Sequence, residues 1–120
     1  MAMNDKERVK PIFISDKETG DRYELDFSRD SIVFAESRKF DPDDIFKYPA
    51  TKIPEFFFYS FRKNHRSIAR EKTDKLLARM GGLTEQMLVR LAQLYEQART
   101  SNNFQDEEDL AKNEFVSVEM

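Results

Sequence analysis

The chain has 120 residues, 39% of them hydrophobic and 36% charged, a formal net charge of −3 and no cysteine. That size supports one modest core, the lack of cysteine excludes disulfides, thiolate metal sites and cysteine nucleophiles, and no apolar run reaches the length of a membrane span or a signal core. The charge is unevenly placed: from Ser101 onward six acids face Lys112 alone, a net of −5, which leaves +2 on residues 1–100.

Residues 1–8 are polar and expected to fray. From Val9 to Ser28 the period is two: Ile12 and Ile14 alternate with Phe13, and Tyr23, Leu25 and Phe27 alternate with Arg22, Glu24, Asp26 and Ser28. Gly20 lies in the polar stretch between them and can take the positive φ of a tight connection, which predicts a β-hairpin with one apolar face. Ser28 is placed to cap a helix running to Arg38-Lys39, with Asp30 in its first turn. Asp41-Pro42 starts a further single turn, and Tyr48-Pro49 breaks it. A proline-led helix is expected from about Pro54 to His65, another from about Ser67 to Met80 stopped by Gly81-Gly82, and a last one capped by Thr84 with Met87, Leu91, Leu94 and Ala98 along one stripe. The fold class is therefore α+β, a hairpin packed on a bundle of about four helices over residues 9–100. Residues 101–120 form an acidic tail expected to be disordered.

The segment Phe56-Phe57-Phe58-Tyr59-Ser60-Phe61 places five rings in six positions. One helical stripe cannot hide them all, so either neighbouring elements enclose this helix from several sides or part of it faces a partner. Packing on Tyr23, Leu25 and Phe27 takes most of the rings. Phe57 and Phe61 are the candidates left for a partner groove, with the adjacent cations Arg62, Lys63, Arg66 and Arg70.

Little else carries chemistry. His65 is the only histidine and has no nucleophile motif around it, so it is expected at the surface or at a helix end and not as a general base. Asp41, Asp43 and Asp44 lack the glycine and distal glutamate of a calcium loop, and capping explains them. No catalytic residue, cofactor or metal is assigned. The run Arg62 to Arg79 mixes cations with nearby aromatics, the composition of single-strand binders. A nucleic-acid-binding regulator is thus the alternative, opposed by the low net basicity, the acidic tail and the absence of a binding motif.

The order of elements resembles a known family. A hairpin leads into Tyr23-Glu24-Leu25-Asp26-Phe27-Ser28-Arg29-Asp30-Ser31 and Phe34-Ala35-Glu36; a proline-led aromatic helix then closes on Phe61-Arg62-Lys63-Asn64-His65, and a short helix precedes a leucine-rich final one. Over residues 9–100 this is similar to the small tail-assembly-chaperone-like proteins of long-tailed phages and prophages of Gram-positive bacteria. The resemblance implies a non-catalytic monomer or small homo-oligomer in the host cytoplasm, absent from the mature virion, that engages the tape measure protein and helps recruit tail tube subunits. A permanent structural tail component is the further alternative.

Overall fold

The computed structural model describes residues 8–100, 115–117, 119 and 120. The acidic segment 101–114 lies outside the described residues, as does most of the N-terminal stretch expected to fray. The architecture is α+β. Strands β1 (Ile12–Ser15) and β2 (Arg22–Leu25) form an antiparallel hairpin, followed among the described residues by helices α1 (Arg29–Ser37), α2 (Pro49–Tyr59), α3 (Arg70–Met80) and α4 (Glu85–Thr100). No described helix is long and apolar enough to cross a membrane.

Alternation fixes the hairpin. Ile12 pairs with Leu25 and Ile14 with Tyr23, so these four side chains share the inner face, while Phe13 is exposed beneath the Arg22 guanidinium, 4.4 Å from its ring centre. The connection closes through Asp16 N–H to the Asp21 carbonyl (2.7 Å), with Gly20 at φ +81°. It is stapled to α3: Arg79 donates two hydrogen bonds to the buried Asp16 carboxylate, at 2.7 and 3.0 Å. That guanidinium holds the Asp16 carboxyl far below the usual carboxylate range.

Local capping chemistry sets most helix ends. Ser28 and Ser31 form a reciprocal capping box at the start of α1. Asp41 accepts from Asp43 N–H (2.9 Å) to open a 3-10 turn at Pro42–Asp44. Gly81, at φ +79°, ends α3, and Thr84 Oγ accepts from Met87 N–H (3.1 Å) at the head of α4.

Two boundaries differ from the sequence expectation. Helix α2 begins at Pro49 and carries Pro54 in its interior, because the Thr51 and Lys52 amides already bond to the Tyr48 carbonyl. It ends at Tyr59 and not near His65. The Ser60 carbonyl is taken by Asp26 N–H (3.0 Å), and Asn64 and His65 also turn to β2, so the chain leaves the helix to satisfy the outer edge of the strand. For the same reason α3 starts at Arg70, three residues later than Ser67.

The core is a stack of rings around α2. Phe56 lies parallel between Phe27 (5.3 Å) and Phe40 (5.4 Å), and Tyr95 of α4 meets Phe27 edge-on at 5.1 Å. On α4, Leu91, Leu94, Tyr95 and Ala98 are buried and Met87 only partly so. Among the described residues every buried side-chain polar atom has a hydrogen-bond partner.

Candidate partner-binding surface

Phe57 and Phe61, expected to face outward, are both fully buried. Phe61 packs 4.9 Å from Phe57, 5.4 Å from Tyr23 and 6.1 Å from His65. The physical reason is enclosure. The hairpin and the residues just after it cover this segment through Tyr23 and Phe27, Phe34 of α1 meets Tyr59 at 5.8 Å, and Tyr95 of α4 closes on Phe56 at 5.7 Å, so Phe56, Phe57, Tyr59 and Phe61 are inside and Phe58 is half-buried.

The cations beside them are exposed or half-buried, but they are spoken for. Arg62 Nε donates to Asp30 (3.0 Å) while its guanidinium lies 3.9 Å from the Phe34 ring centre. Lys63 reaches Asp26 at 2.7 Å, Arg66 reaches Asp30 at 3.5 Å and Arg70 reaches Asp74 at 2.9 Å. With Lys75 on Glu71 and Arg79 on Asp16, six of the seven cations between Arg62 and Arg79 have carboxylate partners. A phosphate backbone would have to compete with each of them.

His65 is structural. Its Nε2 accepts from Glu24 N–H (2.9 Å), and Asn64 Nδ2 donates to the Glu24 carboxylate (2.7 Å) and carbonyl (3.4 Å). The pair closes the outer edge of β2, and the imidazole lone pair a general base needs is already engaged.

The surface that remains open lies elsewhere. Between the 42–46 turn and α4 runs an apolar groove of about 340 Å³, lined by Pro42, Ile45, Phe46, Leu88, Val89 and Ala92, with Gln93 and Glu96 at its end. Phe46 is 82% exposed and Val89 48%. They stay outside because the turn buries Ile45 as its anchor, which points the next side chain outward, and because Val89 stands off the Leu91–Leu94–Ala98 stripe. Such a cleft lacks the convergent polar groups that orient a small molecule. Its one titratable member, Glu96, is held by Arg99 at 2.6 and 2.8 Å, which lowers its carboxyl.

Beside the groove, and sharing Pro42 and Glu96 with it, a polar recess of about 590 Å³ is lined by Glu36, Asp41, Asp43 and Glu96 against Lys39 and Arg99. Tyr95 forms its floor, and its hydroxyl is pushed up to about 12, first by burial and then by the Glu36 and Asp41 carboxylates. The negative field here is therefore felt by a neighbouring group.

From residue 1 to residue 120 the chain matches the domain of unknown function DUF5055. It belongs to that family. No curated protein and no solved structure matches it. What the groove of this DUF5055 chain offers is apolar area, and each of its side chains that becomes fully covered contributes about 1.5–3 kcal/mol. Sequence reasoning passed over the groove. Its signal was faint, an Ile-Phe pair within a single turn too short to bury both residues, and a valine on the side of the last helix away from its apolar stripe.

Proposed function

We propose that this DUF5055 protein is a phage tail assembly chaperone or adaptor that binds the tape measure protein in the host cytoplasm, helps recruit tail tube subunits, and is left out of the finished virion. The observation that carries the proposal is the outward-facing Phe46 beside the apolar groove on α4. A long helical partner with an apolar stripe aggregates through that stripe, and covering it removes the stripe from water and from its own copies. The order of elements over residues 9–100 supports the same assignment. The pairing of the cations from Arg62 to Arg79 with carboxylates counts against a nucleic-acid regulator.

The test is co-expression with the tape measure protein followed by affinity capture of the full chain. The wild type retains the partner, Phe46→Asp loses it with an unchanged circular dichroism spectrum, and mass spectrometry of purified particles finds no copy of the chain. Failure of the wild type to retain the partner, or stoichiometric recovery from virions, overturns the assignment.

A further inference from the structure

We infer that the groove between the 42–46 turn and α4 takes an amphipathic helix whose apolar stripe is flanked by lysine or arginine residues. The inference rests on the groove being the docking surface proposed above, and it adds how the occupant's helix meets the groove and the charge that flanks its stripe.

Conformation follows from what the groove lacks. An extended peptide needs a row of unpaired backbone groups to bond to, and the turn does not offer one: on either side of Phe46, Ile45 N–H bonds to Pro42 O (3.1 Å), Lys47 N–H to Asp44 O (3.1 Å) and Tyr48 N–H to Asp44 O (2.8 Å). The facing wall is helix α4, whose backbone is bonded within itself. An occupant that meets only side chains must satisfy its own amides, which a helix does. The wall from Leu88 to Glu96 is about 12 Å long at 1.5 Å per residue. That accommodates two turns, read as apolar anchors at i, i+3 or i+4, and i+7.

Charge follows from the flank. Glu36, Asp41, Asp43 and Glu96 outnumber Lys39 and Arg99 in the adjoining recess, and among the described residues Glu36, Asp41 and Asp43 make no ion pair, in contrast to the cations of the Arg62–Arg79 run. A helix lying along the groove brings one flank over these carboxylates. Lysine or arginine there gains attraction, and glutamate there is repelled.

Two synthetic peptides of about 18 residues, enough to present the stripe on a helix, differ only in carrying lysine or glutamate beside the same apolar positions. Each is titrated with the full chain by fluorescence anisotropy at low and high salt. The lysine peptide binds about tenfold tighter at low salt, equivalent to about 1.4 kcal/mol, and the margin shrinks as salt rises. The double variant Glu36→Lys/Asp43→Lys reverses the preference, and Phe46→Asp removes binding of both peptides. Equal binding of the two peptides overturns the charge assignment while leaving the groove as a docking surface. Binding that survives Phe46→Asp, or no binding of either peptide, overturns the groove as well. Sedimentation that finds a dimer dispersed by Phe46→Asp assigns the groove to a second copy and also overturns the inference.

Discussion

Truncating Phe61 separates a ring that holds the fold together from one that does not. Phe61 is fully buried, with Phe57, Tyr23 and His65 ring centres between 4.9 and 6.1 Å away. Phe61→Ala removes the transfer free energy of the ring and leaves a cavity whose walls relax only in part, a loss of about 3–5 kcal/mol. With a urea dependence of about 2 kcal/mol per molar for a domain of this size, the unfolding midpoint falls by about 2 M. Because that takes much of the stability of a small domain, Phe61→Leu, which keeps most of the volume, serves as the graded companion with a smaller loss. Phe46→Ala is the control: its ring is 82% exposed, and the expected change is within about 0.5 kcal/mol. Urea unfolding followed by circular dichroism reads all three. A Phe61→Ala midpoint within 0.5 M of wild type (about 1 kcal/mol at that slope), or a Phe46→Ala loss as large as that of Phe61→Ala, refutes the assignment of the first ring to the core and the second to a binding surface.

Asp16 gives an acid signature. Its carboxyl is held below its unfolded value by Arg79, so the stability it contributes is present above the unfolded value of about 3.9 and is lost as pH falls toward the folded one. The gap in urea midpoint between wild type and Arg79→Met should therefore narrow between about pH 4 and about pH 2; a gap constant with pH refutes the linkage. At the head of α1, Ser28→Ala should cost about 1 kcal/mol. Because Ser31 Oγ accepts from Ser28 N–H at 2.6 Å in the same capping box, Ser28→Ala/Ser31→Ala should cost less than the sum of the two single losses, a shortfall that urea unfolding resolves.

Features with short-range causes were legible in the residues. The hairpin came from strict alternation and a glycine, the Ser28 and Asp41 caps from their own side chains, the end of α3 from Gly81, and the buried face of α4 from Leu91, Leu94 and Ala98. The end of α2 was not, because it is decided at long range. A helix ending in Phe61-Arg62-Lys63-Asn64-His65 looks continuous until the outer edge of β2, forty residues away in sequence, draws off the Ser60 carbonyl and the side chains of Asn64 and His65. The same distance hid the fate of Phe57 and Phe61. Five rings in six positions demanded either enclosure or a partner, and only the arrangement of hairpin, α1 and α4 around α2 encloses four of them and leaves Phe58 half-buried.

With those rings enclosed, the open apolar area lies between the 42–46 turn and α4, and the charges of the fold are distributed to match. The stretch with the most cations is the one most fully compensated: Asp16, Asp26, Asp30 and Asp74 tie Arg79, Lys63, Arg62 and Arg70 into the fold. Three of these pairs clamp elements together, two joining the loop after α2 to Asp26 just beyond β2 and to Asp30 of α1, and a third joining α3 to the hairpin turn, while Arg70–Asp74 lies within α3. A surface whose charges are consumed in holding the fold has little left to attract a polyanion, whose binding depends on unpaired protein cations displacing its condensed counterions into solution. Among the described residues Glu36, Asp41 and Asp43 hold no such clamp. They stand beside the groove that leaves Phe46 and Val89 in water, so the open apolar area and an excess of acids over Lys39 and Arg99 fall on the same face of this chain, which is what the proposed amphipathic helix with a basic flank would use.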